Sequence, residues 1–334
     1  MDLNEEWSNF LNDEVAYMQH VTVNPYVGIE PSPSPLYIST HTIISYLNQP
    51  IQLSDVFWNL PIILYHVEQE GIIKKQMKIN STTKYEVADI QDKINQYPYG
   101  YRMTIKHIDN EKGNIKYKDV CKVTIGISKK DIMSYRIKQK GAFYNCFVLI
   151  LRVFIEQYKE FHVKIFNTGK IEIPGIQNRD HIPYIIKVLL AQLRPYYPEI
   201  SYNEESEEVV LINSNFNCGY YINRDNLYHK LRYDKNVSAV YDPCSYPGIQ
   251  CKIYYTNEGE IVTTPIEGNS VSFMIFRTGS ILIVGKCSQS TIYNIYNYII
   301  AMLKDLFMFV VDNKCVRAKP ELLKKKVKKF ILIK

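Results

Sequence analysis

Phe166 and Phe276 occupy corresponding points of two copies of one pattern. Phe166-Asn-Thr-Gly169 and Phe276-Arg-Thr-Gly279 each place an aromatic ring at the end of an alternating apolar stretch, directly before a turn. A ring held there makes no bonds; it stacks, wedges or packs. Alternation assigns the neighbouring side chains to faces. Val163, Ile165, Ile171 and Ile173 share one face in the first copy, and Phe273, Ile275, Ile281 and Ile283 share it in the second. The other face holds His162, Lys164, Phe166, Glu172 and Pro174 in the first copy. In the second it holds Ser272, Met274, Phe276, Leu282 and Val284. Helices must cover the uniformly apolar faces, so the other face stays open, and an open apolar face marks a binding surface. Two readings of the phenylalanines stand: wedges at the two ends of a curved sheet, or rings packed under their own turns.

Residues for bond-making chemistry are not in evidence in the sequence. It has no Gly-rich phosphate loop, no pairing of a catalytic His with a carboxylate, and no metal-ligand spacing among its seven histidines. The expectation is a non-enzyme with no catalytic residues, no metal and no cofactor. Seven scattered cysteines without a C-x-x-C pair read as reduced, mostly buried thiols.

The elements that must hold the phenylalanines repeat as well. Residues 162–175 return as 272–285, and the register continues into helical stretches. There Ile182, Ile185, Leu189, Ala191 and Leu193 answer Ile292, Ile295, Ile299, Ala301 and Leu303. A gap-free match of this length implies two copies of one strand-turn-strand-helix unit. The spacing predicts strands at Tyr37–Leu47, Phe147–Phe154, Val209–Asn217 and Gln250–Thr256. It predicts helices at 4–18, Leu53–Leu60, about 180–194, Asp225–Leu231 and about 289–309. Asn203–Glu208 reads as an acidic connector, and 64–140 as a series of short strands with tight turns. The domain reading is an acidic N-terminal helix with a Pro-rich linker (1–35) and a first repeat (36–200) carrying a basic insertion (64–140). A second repeat (201–312) and a basic tail (313–334) follow.

Charge is strongly segregated within a net +6 over 334 residues. Residues 1–70 carry nine acids and no Lys or Arg, 71–140 carry 16 basic residues against 7 acids, and 317–334 carry 8 against 1. Such segregation points to partners of both signs, or to the acidic end docking on a basic surface. The acidic helix reads either as a mimic of DNA or as an element packed on the convex side or on a partner. The basic tail reads as extra phosphate contacts, a nuclear import signal or a solvated helix end. No apolar run reaches the roughly 18 residues of a membrane span, and no basic n-region opens the chain, so neither membrane nor signal peptide is expected.

The order of these motifs resembles the TATA-binding protein family. Tyr241-Asp-Pro-Cys-Ser-Tyr-Pro-Gly-Ile249 is similar to the family's Tyr-Glu-Pro-x-x-Phe-Pro-Gly-Leu, and Phe276-Arg-Thr-Gly-Ser-Ile-Leu-Ile-Val-Gly285 to its Phe-Val-Ser-Gly-Lys-Val-Val-Leu-Thr-Gly. Tyr37-Ile-Ser-Thr-His-Thr-Ile-Ile44, Gly141-Ala-Phe-Tyr-Asn-Cys146 and Lys164-Ile-Phe-Asn-Thr-Gly169 resemble strands of the divergent versions encoded by large DNA viruses. The resemblance covers about 36–63 and 141–310. It implies an α+β saddle of two pseudo-symmetric curved antiparallel sheets with long helices on the convex side. The concave side would lie on the DNA minor groove, with paired aromatics wedged between base steps. Carried over residue by residue, Phe276 and Tyr246 form one wedge pair and Phe166 and Phe143 the other. Asn213 is the central hydrogen-bonding residue, and Met274, Leu282 and Val284 are the apolar floor. Departures accompany the match. Thr40 stands where the first copy should carry Asn, Pro174 and Val284 replace threonines, and Tyr246 replaces Phe. Lys164 and Glu172 put charge on the first copy's open face, where they can pair.

The implied function is a transcription initiation factor, monomeric with pseudo-two-fold symmetry, that bends double-stranded AT-rich promoter DNA. Its implied partners are an initiation factor of the B class and RNA polymerase subunits. The implied location is a viral factory or virion in the host cytoplasm, or the host nucleus. A protein-interaction scaffold on the same fold that has lost DNA binding is the competing expectation. A ligand pocket between sheet and helix explains the duplication less well.

Overall fold

The computed structural model describes residues 32–133, 143–262, 264–265 and 268–312. The predicted helix at 4–18, the basic tail and the end of the 64–140 segment lie outside these. Among the described residues, 40–210 form one compact unit, here the N-terminal unit, and 32–39 with 211–312 form the other, the C-terminal unit.

The N-terminal unit contains β1 (Tyr37–Leu47, which starts in the other unit), α1 (Leu53–Asn59), β2 (Gly71–Ser81), α2 (Lys84–Asn95), β3 (Tyr101–Asp109), β4 (Tyr117–Gly126) and α3 (Lys129–Met133). These are followed by β5 (Cys146–Ile155), β6 (Gln157–Phe166), β7 (Lys170–Ile176) and α4 (Ile182–Leu193). Its antiparallel sheet runs β1-β7-β6-β5-β2-β4-β3. Helix α4 carries Pro183 in its first turn, where the fixed φ of proline fits. Its buried Ile182, Ile185, Leu189 and Leu193 join Val163, Ile165, Ile171 and Ile173 in one core.

The C-terminal unit contains β8 (Tyr202–Asn217, which starts in the other unit), α5 (Arg224–His229), β9 (Ser238–Val240), β10 (Ile249–Tyr255) and β11 (Ile261–Val262). Strands β12 (Ser270–Ile275) and β13 (Ser280–Gly285) and helix α6 (Gln289–Val310) complete it. Its strands run β8-β13-β12-β10-β9, with β11 also paired to β10. Helix α6 is opened by Ser288, whose hydroxyl accepts from the Thr291 N–H at 3.0 Å, an N-cap. It buries Ile295, Ile299 and Leu303 against Phe273, Ile275, Ile281 and Ile283, and Ile292 is buried as well. Both units are therefore antiparallel sheets with a long apolar helix on one face, an α+β architecture.

All eight residues assigned to the covered hairpin faces are at most 2 % exposed. The repeated turn glycines have a shared physical cause. Gly169 and Gly279 adopt φ of 83° and 77°, and a Cβ there would stand 2.5 Å from the Gln49 carbonyl oxygen and 2.2 Å from that of Tyr220. Each glycine carbonyl accepts a backbone N–H near the end of its unit's first strand, from Leu47 at 2.8 Å and Cys218 at 2.9 Å. The turn thus locks each hairpin onto the strand beside it, and only glycine fits.

Three expectations are corrected. Asn203–Glu208 is the start of β8, not a connector. Its Glu207 is taken up by the Tyr202 hydroxyl at 2.7 Å, and Ser206 by Ser45 at 2.7 Å. The segment 64–140 contains the helix α2 besides its strands. Thr83 caps it by accepting from the Glu86 N–H at 3.2 Å, while Glu86 reaches back to the Thr82 N–H at 2.7 Å. Phe143 precedes β5 in a loop, because Asn145 takes φ 59° immediately before the strand.

The described cysteines are unbridged. Cys121, Cys146, Cys218 and Cys251 are buried, Cys287 is intermediate, and Cys244 is exposed.

Candidate nucleic-acid interface

The open face of the C-terminal unit is a grid of cross-strand rows. Asn215 pairs with Leu282, Leu282 with Met274, and Met274 with Gln250. Alongside it, Asn213 pairs with Val284, Val284 with Ser272, and Ser272 with Lys252. These side chains alternate strictly with buried ones and are themselves half-buried or exposed. The two rows contain no carboxylate. Amides at the β8 edge, Leu282, Met274, Val284 and Ser272 in the middle and Gln250 and Lys252 at the far edge make a surface that is neutral to basic. A shallow hollow in it is lined by Ser34, Pro35, Tyr37, Asn215, Phe216, Asn217, Ser280 and Leu282.

The next row holds the wedge candidate. Ser280 pairs with Asn217, and the Phe276 N–H donates to the Ser280 carbonyl at 3.0 Å. Gly248, one residue before the Ile249–Ile275 pair, stands opposite Phe276. Tyr246 comes from the loop before β10, and its ring centroid lies 5.9 Å from that of Phe276 at an interplanar angle of 59°. A Cβ on Gly248 would stand 3.0 Å from Phe276 Cε1 and 3.2 Å from Tyr246 Cε1. The glycine is what lets both rings settle over the strand.

The loop that carries Tyr246 is tied down. Asp242 accepts the Cys244 N–H at 3.0 Å, and its carbonyl accepts the Tyr246 N–H at 3.0 Å. The hydrogen bonds from Ser245 and Cys244 hold the Asp242 carboxyl below its usual pKa. Arg224 donates to the Pro247 carbonyl and stacks over Tyr241, with its guanidinium carbon 5.4 Å from the ring centroid.

The corresponding face of the N-terminal unit is charged. Lys164 pairs with Glu172 in register, and their ion pair measures 2.6 Å. The Lys164 ammonium also lies 5.1 Å from the Phe143 ring centroid, and Lys170 lies 5.6 Å from that of Phe166. Phe166 is half-buried like Phe276, whereas Phe143 is 67 % exposed. No ring contact joins Phe143 to Phe166, so the two candidates pair differently: Tyr246 and Phe276 touch each other, and Phe143 and Phe166 each meet a lysine. His162, on the same face, has its pKa pulled down to about 4, first by burial and then by Lys164. Thr40 lies half-buried on β1, just before a register shift between His41 and Ile43. Pro174 is half-buried on β7.

The sequence pointed to Asn213 but passed over Asn215 and Gly248. Asn215 was accessible from alternation, because it lies two residues beyond Asn213 on the same strand. Gly248 was not, because its role depends on two rings brought together from separate loops.

No protein-family model matches the chain, and no curated protein does. Among solved structures the chain is similar to Methanococcus jannaschii TBP, with 13% sequence identity, a TM-score of 0.41, and coverage of 81% of this chain and 99% of that chain.

Proposed function

We propose that the chain is a TATA-binding-like transcription initiation factor that binds and bends AT-rich duplex DNA through the minor groove. The observation that carries this reading is the Tyr246–Phe276 pair seated on Gly248 beside a carboxylate-free grid of amide and apolar side chains. Apolar rings inserted at a base step and a floor that tolerates sugars and base edges are what minor-groove bending requires. Asn213 and Asn215 offer amide donors for the acceptors that A·T pairs present there. Phe166 serves as the wedge of the N-terminal unit, with Phe143 beside it. In this reading the two open faces form one concave saddle, and the helical faces recruit a B-class initiation factor or RNA polymerase subunits at the site of viral transcription.

A second reading has its own support. The Lys164–Glu172 ion pair puts a carboxylate on the N-terminal unit's open face, which disfavours approach of phosphates. A scaffold that has lost DNA binding would tolerate it. Gel-shift and bending assays on AT-rich duplexes, with Phe166→Ala and Phe276→Ala as controls, separate the two. Kinked complexes that depend on both phenylalanines support the factor; no binding, or binding without a kink, supports the scaffold.

A further inference from the structure

Both rings of the C-terminal unit's wedge candidate are tied to one short stretch of chain at the start of α5. The Ile222 N–H donates to the Arg277 carbonyl at 2.9 Å, one residue after Phe276. Arg224 donates to the Pro247 carbonyl, one residue after Tyr246. The same stretch is anchored at the end of α6. The Asn223 N–H donates to the Val310 carbonyl at 2.7 Å, the Asn226 side-chain amide to the Phe309 carbonyl at 3.2 Å, and the Asp312 N–H to the Tyr221 carbonyl at 2.8 Å. Asn223 also caps α5 by accepting the Asn226 N–H at 3.1 Å, so the backbone that carries Arg224 is fixed.

The two rings depend on this stretch to different degrees. Phe276 is held by its own hairpin: its N–H donates to the Ser280 carbonyl and its carbonyl accepts the Gly279 N–H, both at 3.0 Å. Tyr246 sits in the loop between β9 and β10. The bonds that the Cys244, Ser245 and Tyr246 N–H groups make to Asp242 shape that loop from within. Arg224 reaches it from another element, and at both ends. Its guanidinium carbon lies 5.4 Å from the Tyr241 ring centroid at the start of the loop, and its N–H groups reach Pro247 at the end. Tyr241 is braced in turn by Tyr228 of α5, with ring centroids 6.2 Å apart. A flat guanidinium can stack on a ring and donate in its own plane at once, which an ammonium cannot.

We infer that Arg224 is a positioning residue for DNA bending: it clamps both ends of the 241–247 loop to α5 and so sets the Tyr246 ring against Phe276, without itself contacting a phosphate. The inference rests on the DNA-binding reading above. Without the clamp the ring samples other positions, and apparent affinity falls with the fraction of chains in which it is correctly placed.

The test is a double-mutant cycle in the full chain: wild type, Arg224→Ala, Tyr246→Ala and the double variant, each measured on an AT-rich duplex for affinity, bending and salt dependence. With the ring correctly placed about a tenth of the time, Arg224→Ala should bind about tenfold more weakly and bend the duplex less. In the Tyr246→Ala background the same substitution should change affinity by less than about twofold, because the ring it serves is gone. Arg224→Ala should keep the wild-type slope of log affinity against log salt, whereas a lost phosphate contact would lower it by about 0.9. Arg224→Lys keeps the charge without the flat stacking group and should recover only part of the loss. An equal loss in both backgrounds would make Arg224 a residue of the fold in general and overturn the inference. A slope lowered by about 0.9, or full recovery by lysine, would make it a phosphate contact and overturn it too. If the wild-type chain neither binds nor bends the duplex, the functional reading itself fails and this one falls with it; wild-type binding and bending with an unchanged Arg224→Ala variant removes this inference alone.

Discussion

The rings of Tyr246 and Phe276 meet at 5.9 Å because Gly248 leaves the space between strand and rings empty of a side chain. Gly248→Ala places a methyl group 3.0 Å from Phe276, so the rings must shift. Overpacking of this kind costs about 1–3 kcal/mol. The expected result is a modest fall in melting temperature and about tenfold weaker binding to AT-rich duplex, equivalent to about 1.4 kcal/mol. Undiminished affinity and bending by this variant would separate the ring pair from DNA recognition.

The Lys164–Glu172 pair is the clearest charge on the proposed groove face. Removing the carboxylate by Glu172→Ala frees the ammonium for a phosphate. Affinity for duplex DNA should rise, and the salt slope should steepen by about 0.9. Unchanged or weaker binding would count against a groove-facing Glu172.

The covered hairpin faces were legible in the sequence because period-two alternation and a repeat both point to them, and β1 matched its predicted span, Tyr37–Leu47. The 64–140 segment was not, for a physical reason visible at Lys74 and Lys75. Adjacent lysines hide a strand, yet each faces a different side with its own partners. Lys74 pairs with Asp131, while buried Lys75 donates to the Phe57, Trp58 and Leu60 carbonyls at 2.7, 3.2 and 2.7 Å. Those carbonyls close α1, whose last turn has no following N–H to meet them. A lysine that completes a helix end reads in sequence as a surface residue. The open face was half legible: Asn213 and the phenylalanines came from the motif order, whereas the Tyr246–Gly248–Phe276 contact needs three dimensions.

Asn213 and Asn215 stand side by side on β8, in register with Val284 and Leu282. Asn215→Ala should lower affinity for an AT-rich site while leaving affinity for a GC-rich duplex unchanged, narrowing the preference by about 1 kcal/mol or more. Competition binding between the two duplexes measures it. Equal losses on both would assign Asn215 to structure instead.

His162 makes folding sensitive to acid. Its folded pKa of about 4 lies below the ordinary histidine value of 6.5, chiefly from burial, with Lys164, Lys130 and Lys122 adding to the shift and Glu172 opposing it. The unfolded chain binds the proton first, so the stabilisation is complete above about pH 6.5 and is lost as pH falls towards 4. The ceiling is on the order of 3 kcal/mol. Urea unfolding at pH 7, 5 and 4 should show this loss, and His162→Gln should flatten it. A His162→Gln profile parallel to wild type would rule this histidine out as its source.

Aromatic wedging by Phe166 and Phe276 should bend the duplex that the rings enter. Fluorescence energy transfer between the ends of a labelled AT-rich duplex tests it most directly. The wild-type chain should shorten the end-to-end distance, Phe276→Ala and Phe166→Ala should each restore most of it while weakening binding, and Tyr293→Ala, on the exposed side of α6, should do neither. Binding that leaves the duplex straight, or a kink that survives both phenylalanine substitutions, would rule out aromatic wedging.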